Sequence, residues 1–399
     1  MSLNLNDNEN NGSFLDGQDS EVNMNNLNEK EIERFSLEEI EEVSEKNVAE
    51  ETTHKKVERK ERKRNEKPKK FWQKAQGGGI TFEQKEVIDY LENEGFYKYY
   101  LDRENFIIVK RKYGIFKKVD VVYVKDFIID KLKNEHKELQ VLTKFYEVAE
   151  ALVSRTKLEL LPVLTCNPFH DTRNESYFFF QNTIVMVSKN KVEYLPYNNT
   201  EQNGCIMESA IISKKFSITE KESFFEQFLF RAMNKDEKRK KSVMSALGYL
   251  INRSYDPTNT KIVIFTDEQM YSDGEANGGT GKGICAKALS HVRKVAEEDG
   301  KNFKVGKNFA FQQVDFDTEA LFIDDVNKNF NLEDFYSIVT TGLTVEKKYK
   351  AAFRIPPEQC PKILITTNYV VVGQEGYTDK RRRFEIEFSS YYGENCKPC

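Results

Sequence analysis

The chain has 399 residues, 39% of them hydrophobic, with 29 Phe, 19 Tyr and a formal net charge of −4. That length allows two or three domains, and the near-cancellation of charge excludes a uniformly basic nucleic-acid binder while leaving room for a local basic surface. No run approaches the roughly 20 apolar residues of a bilayer span, the N-terminus lacks the basic start and apolar stretch of a signal peptide, and six scattered cysteines are too few for a disulfide scaffold, so a reducing, cytoplasmic setting is expected.

Residues 1–79 read as a disordered charged arm. The first fifty are acidic and Asn-rich, and Lys55 to Lys70 form a basic run. Such a segment buries too little apolar surface to offset its ordering entropy. Ile32, Phe35, Leu37, Ile40 and Val43 have the spacing of a transient helix. The basic run could touch nucleic acid or an acidic partner, and a solvated tail is the plainer reading. Gly77-Gly78-Gly79 marks a flexible junction, with folded sequence expected from about Thr81.

Residues 80–255 read as a smaller α+β domain. Helices are expected over Phe82–Asn93, Phe127–Leu132, Leu139–Leu152, Phe224–Met233 and Lys241–Ile251. Phe106–Val109 and Val121–Val124 have strand composition. Tyr177–Phe180 and Ile184–Val187 flank Gln181-Asn182, the pattern of a hairpin.

From 256 to 399 short apolar strands alternate with helices, which predicts an α/β domain with a mostly parallel sheet flanked by helices. Ile262–Phe265 reads as a buried strand. Ala276-Asn277-Gly278-Gly279-Thr280-Gly281-Lys282-Gly283 follows, and a helix is expected over Ile284–Val295. Strand, glycine-rich loop and helix in this order predict a phosphate loop. Glycines let backbone N–H groups turn inward around phosphate, and the helix start adds its positive dipole end. Lys282 would reach the β- and γ-phosphates of ATP. Two positions depart from the usual pattern. Ala276 replaces the first glycine. Gly283 replaces the Ser/Thr whose hydroxyl ligates Mg²⁺, leaving the metal to water, Thr280 or acids elsewhere.

Ala320–Ile323 reads as a second buried strand ending in Asp324-Asp325. Carboxylates at that edge of a parallel sheet face the ligand crevice. Asp324 would hold Mg²⁺, with Asp325 sharing it or polarising the attacking water. Lys362–Thr367 reads as a third strand ending in Asn368, whose amide can bond both the lytic water and the γ-phosphate. Between these strands, Leu343–Lys350 and Ala351–Ile355 predict a hairpin with Lys347, Lys348, Tyr349 and Lys350 near its tip. Lysines there suit sequence-independent contacts to DNA phosphates, and Tyr349 suits stacking on a base. A charged solvent-facing loop is the plainer reading. Arg381-Arg382-Arg383 precede the strand Phe384–Phe388. Arg382 or Arg383 is the candidate for an arginine acting on a neighbouring subunit's nucleotide, with Arg381 third.

This ordered set (ANGGTGKG, ALFIDD, the lysine hairpin, KILITTN and RRRF) resembles the superfamily 3 helicases, AAA+ replication helicases of DNA viruses, phages and plasmids. It is most similar to the helicase part of phage and mobile-element primase-helicases. FFFQNTIVMVSKNKVEYLPY and SALGYLINRSYDP resemble that family's preceding region, so the likeness covers roughly 150–390. The resemblance implies a homo-hexameric ring on single-stranded DNA that hydrolyses ATP between subunits and moves 3′ to 5′, with a primase or polymerase as partner. It implies Lys282 as the phosphate-loop lysine, Asp324 and Asp325 as the acidic motif and Asn368 as the sensor. Lys347, Lys348 or Lys350 becomes the pore lysine, and Arg382 or Arg383 the arginine finger. Relatives usually continue past the arginine strand, so it also implies a shortened C-terminus. Cys396 and Cys399 have CxxC spacing without a partner pair for zinc. Asp120, His170 and Asp171 read as isolated polar residues, so no primase centre is expected. Two alternatives remain: a nucleotide-dependent DNA scaffold with little turnover, and a small-molecule kinase. The kinase fits poorly because Ile284, not Thr, follows Gly283.

Overall fold

The computed structural model describes residues 70–397, apart from 113, 137, 167–168, 198–203, 220, 222, 270–277, 329, 372–375 and 394–395. It opens with a two-stranded hairpin, β1 (Gln73–Lys74) and β2 (Ile80–Thr81). Gly77-Gly78-Gly79 is the turn of this hairpin rather than a flexible junction, with Gly78 at φ 82° and its N–H bonded to the Ala75 carbonyl. Phe71 and Trp72 are 0% and 4% exposed, and Phe71 stacks on Tyr90 at 4.2 Å. Folded sequence therefore reaches back past Thr81, because two aromatic side chains upstream of the glycines complete the first core.

That core is built by α1 (Gln84–Asn93), β3 (Phe96–Tyr100), β4 (Phe106–Lys112), β5 (Ile115–Val119), α2 (Val121–Lys131), α3 (Leu139–Leu152) and the single turn α4 (Arg155–Leu158). Val121–Val124 is helix, not strand. The Asp120 carboxylate accepts the Tyr123 N–H at 2.8 Å, which caps α2, and Val124 and Ile128 then bury on one face. Four β-branched and aromatic residues lose to a cap and an i,i+4 stripe.

The FFF segment forms the expected hairpin, β6 (Glu175–Phe180) with β7 (Ile184–Ser188), extended by β8 (Val192–Leu195). Short β9 (Ile206–Met207) joins β5 in parallel, and β10 (Ile211–Ile212) joins β6. Cys166 and Cys205 are disulfide-bonded, with Cα atoms 6.0 Å apart. The six cysteines are thus not all scattered thiols.

After α5 (Phe224–Ala232) and α6 (Glu237–Ile251) the chain enters its largest sheet. The elements are β11 (Ile262–Asp267), α7 (Lys282–Ala288), β12 (Val295–Asp299), β13 (Ala320–Val326), α8 (Tyr336–Thr341), the β14 (Leu343–Val345)–β15 (Phe353–Ile355) hairpin, β16 (Lys362–Thr367), α9 (Tyr377–Arg382) and β17 (Arg383–Phe388). The spatial order is β12-β13-β16-β11-β17, all parallel. Alternate residues feed two layers. Ile262, Leu321 and Ile363 face α8 and the β14–β15 hairpin, whereas Val263, Phe322 and Leu364 face α5, α6 and α7. Apolar side chains on both faces explain why these strands read as unbroken apolar runs. The helix after the glycine loop stops at Ala288, well short of Val295, which lies in β12. Among the described residues no helix is long and apolar enough to cross a membrane.

Position 255 is not a core boundary. Leu229, Val243 and Leu250 of α5 and α6 pack with Val263 and Phe265 of β11. Asp171 is not isolated either. Its fully buried carboxylate accepts N–H bonds from Tyr177 (3.0 Å), Arg253 (2.9 Å) and the Arg293 guanidinium (2.9 Å). Arg293 also donates to the Ile251 and Tyr177 carbonyls. Drawing Arg293 into this network accompanies the early end of α7. A buried pair so fully bonded fixes geometry, and breaking one arm strands a charge.

Candidate functional site

The chain leaves β11, builds β12 and β13 three and two places away, and returns to insert β16 between β11 and β13. The C-terminal ends of β11, β16 and β13 are therefore neighbours, in the crevice where open parallel sheets bind ligands. Asp267 ends β11, Asn368 follows β16, and Asp324-Asp325 lie near the end of β13.

The glycine loop approaches the same edge. Lys282 is 8% exposed, and its ammonium meets Asp267 Oδ1 at 2.5 Å, Asn368 Oδ1 at 2.9 Å and Thr280 Oγ1 at 3.3 Å. The Thr280 hydroxyl donates to the same Asp267 oxygen at 2.6 Å. The Asn368 amide donates in turn to Asp325 Oδ1 at 3.1 Å. One chain of polar contacts thus runs from the acidic strand to the loop lysine. Thr366 braces its far end, donating to Asp324 at 2.6 Å and accepting the Asp325 N–H at 2.9 Å. Asp325 sits at φ 56° beside a register shift in β13, and Lys301 lies 3.3 Å from its second oxygen. A non-glycine residue at positive φ is uncommon and is held by its surroundings.

Gly281 has φ 102°, and a Cβ there would lie 2.7 Å from the Phe228 ring, so glycine is required on both counts. Gly278, Gly279 and Gly283 are different: a Cβ on any of them would meet nothing within 4 Å. The loop stands clear of its neighbours on that side. An ammonium, a hydroxyl and carboxylate oxygens beside open glycine backbone fit a nucleotide and the hard, oxygen-seeking Mg²⁺. Ala276 and Asn277 lie outside the described residues.

Sequence reasoning missed Asp267, although the strand-end rule applied to Asp324 points equally to it. The apolar run stops at Phe265, but the strand continues through Thr266 to Asp267. Thr366 reads in the sequence as part of a strand, and its bonds to Asp324 and Asp325 arise only in the fold.

The β14–β15 hairpin forms as expected. Lys347 does not project from it. It bonds Asp315 at 2.7 Å and is mostly buried. Burial works to raise the Asp315 pKa, but Lys347, Lys294 and Lys118 outweigh it and hold the acid below its usual value. Lys348, Tyr349 and Lys350 form the exposed tip, with Tyr349 93% exposed. The arginines divide similarly. Arg382 is buried with its guanidinium 5.0 Å from the Tyr336 ring. Arg383 pairs with Asp379 at 3.0 Å and Glu385 at 2.9 Å. Arg381 is exposed. Cys396 is exposed, and Cys399 lies outside the described residues. Among the described residues no three His, Cys, Asp or Glu side chains group as a metal cluster.

No family model matches this sequence, and no curated protein matches it. Three solved structures of the NrS-1 C-terminal region are similar in part. The first overlaps 54% of this chain with a TM-score of 0.32 at 13% identity. The others give TM-scores of 0.31 and 0.30 at 11% and 14% identity. This chain spans 59% of the length of the first of them.

Proposed function

We propose that this chain is an ATP-hydrolysing motor of the superfamily 3 helicase type, with an AAA+ P-loop core, acting on single-stranded DNA in replication. The observation that carries the reading is the polar chain Asp325–Asn368–Lys282–Asp267, assembled at one sheet edge from three strands and the glycine loop. Phosphoryl transfer needs mainly positioning and charge neutralisation, and these groups are of the required kinds. Lys282 would take the β- and γ-phosphates. Asp324 and Asp325 would flank the metal and the attacking water, with Lys301 and Thr366 holding them. Asn368 touches both the acid and the lysine, so it can pass the loss of a γ-phosphate from one to the other. Mg²⁺, when bound, would neutralise charge on the β- and γ-phosphates.

The exposed tip Lys348-Tyr349-Lys350 supports contact with a DNA backbone and a base, whereas Lys347 is a brace. Among the arginines, exposure favours Arg381 as the one that reaches a neighbouring subunit of a hexamer. The test is ATP hydrolysis with and without single-stranded DNA. DNA-stimulated turnover that Lys282→Ala abolishes is the expected result. Nucleotide binding without turnover would leave the scaffold reading in its place, and no nucleotide binding would overturn both.

A further inference from the structure

The inference concerns Asp267 and rests on the reading of this edge as a nucleotide site. Gly283 offers no hydroxyl to a metal, yet its glycine is not demanded by packing, because a Cβ there would meet nothing within 4 Å. Gly283 is also absent from the glycines at positive φ. Meanwhile an acid with no part in the expected motif sits under the loop. Asp267 is 5% exposed, and a single one of its oxygens takes both the Lys282 ammonium and the Thr280 hydroxyl.

We infer that Asp267, together with Thr280, replaces the hydroxyl that Gly283 lacks: it positions Lys282 and then faces the divalent cation of the bound nucleotide. Lys282 can serve a phosphate only by giving up part of its contact with Asp267. The carboxylate would then be a buried charge without its counterion, close to a polyphosphate, and such charges are costly. A divalent cation removes both penalties. A magnesium ion held by one or two protein oxygens plus substrate phosphates is the usual arrangement for that ion. Nucleotide binding by this chain should therefore depend on metal more steeply than the loop lysine alone would require, and the dependence should belong to Asp267.

The experiment measures binding of a fluorescent non-hydrolysable ATP analogue, with Mg²⁺ or with EDTA, by full-length protein. Wild type is compared with Asp267→Asn, Asp267→Asn with Gly283→Ser, and Lys282→Ala, each checked for a cooperative melt. Wild type should bind roughly tenfold or more tightly with Mg²⁺, a difference of about 1.4 kcal/mol. Asp267→Asn should bind more tightly than wild type in EDTA and lose most of the gain from Mg²⁺. Adding Gly283→Ser should restore much of that gain. If Asp267→Asn does not melt cooperatively, Thr280→Ala takes its place with the same expected loss of the Mg²⁺ effect. A full Mg²⁺ effect in the variant overturns the role of Asp267 while leaving the nucleotide site standing. No binding by wild type, or binding by Lys282→Ala equal to wild type, overturns the nucleotide site and this inference with it.

Discussion

Arg383 and Ile262 face one another at the starts of two parallel strands, β17 and β11. Asp267 ends β11 five residues later, roughly 17 Å away at 3.3 Å per residue. The arginine run therefore lies along the edge of the sheet opposite the lysine loop. On the proposed reading, an arginine acting on phosphate from there would act on the site of a neighbouring subunit.

Arg381→Ala is expected to lower ATP turnover by about 10³-fold with an unchanged melting temperature. Mixing it with Lys282→Ala subunits should recover part of the activity, since each supplies what the other lacks. Arg383→Ala should instead lower the melting temperature, because buried Asp379 loses its cationic partner and keeps the Tyr336 hydroxyl. Wild-type turnover in Arg381→Ala would exclude it as the trans-acting group.

The hairpin lysines should separate by the salt dependence of single-stranded DNA binding. Lys348→Ala and Lys350→Ala should each reduce the slope of log K against log salt by about 0.7. Lys347→Ala should leave the slope alone and cost stability through Asp315. Tyr349→Ala should weaken binding by about 1–3 kcal/mol without changing the slope. Equal slope changes for all three lysines would contradict the bracing role of Lys347.

Lys362 gives a pH signature. Its ammonium donates to the Ser254 carbonyl at 2.9 Å and lies 4.4 Å from the Tyr249 ring. Burial, opposed by Asp256, pushes its pKa down to about 8 from 10.5. Between these values the unfolded chain holds the proton and the folded chain does not, so this group makes stability rise with pH across that window. Below the window both states are charged and the burial penalty is present in full. The melting-temperature difference between Lys362→Met and wild type should therefore fall as pH climbs from 8 to 10.5. A difference independent of pH would show that no charge is being buried.

The Cys166–Cys205 bond closes a 39-residue separation that contains the whole β6–β7–β8 meander. Its reduction, or the Cys166→Ser change, is expected to cost about 2–4 kcal/mol of stability. Thiol titration in denaturant before and after reduction should differ by two groups. In the native protein Cys285 and Cys360 should react slowly, since burial pushes both thiols up to about 12. An unchanged thiol count would mean that the pair is not bonded in solution.

The sequence disclosed β11, β13 and β16 because strands buried on both faces are plain apolar runs. It disclosed the glycine loop because the loop's chemistry is local. It hid α2, since Val121–Val124 has strand composition and only the cap at Asp120 decides otherwise. It hid β12, because Val295 and Ala296 continue the apolar spacing of the preceding helix. Lys347 reads as an active cation because its partner is supplied by tertiary contact, whereas Arg383 pairs locally, with Asp379 four residues before it and Glu385 two after. Asp315 is 32 residues before Lys347, and Asp379 is buried only by the fold. Asp267 is legible by the strand-end rule, but the apolar run that marks the strand stops two residues before it.

The Asp171–Arg293 pair has a consequence for dissecting the molecule. A cut near residue 255, where the composition changes, would leave Arg293 in the interior with its hydrogen-bonded acid, Asp171, on the discarded piece and Glu319, 3.7 Å away, as its remaining carboxylate. Stranding one half of such a pair costs about 3–5 kcal/mol, a large share of a domain's stability. The same cut removes α5 and α6 from one face of the sheet. A fragment that keeps this pair and both faces of the sheet therefore starts upstream of Asp171, and the proposed hydrolytic unit would include the β6–β7–β8 meander.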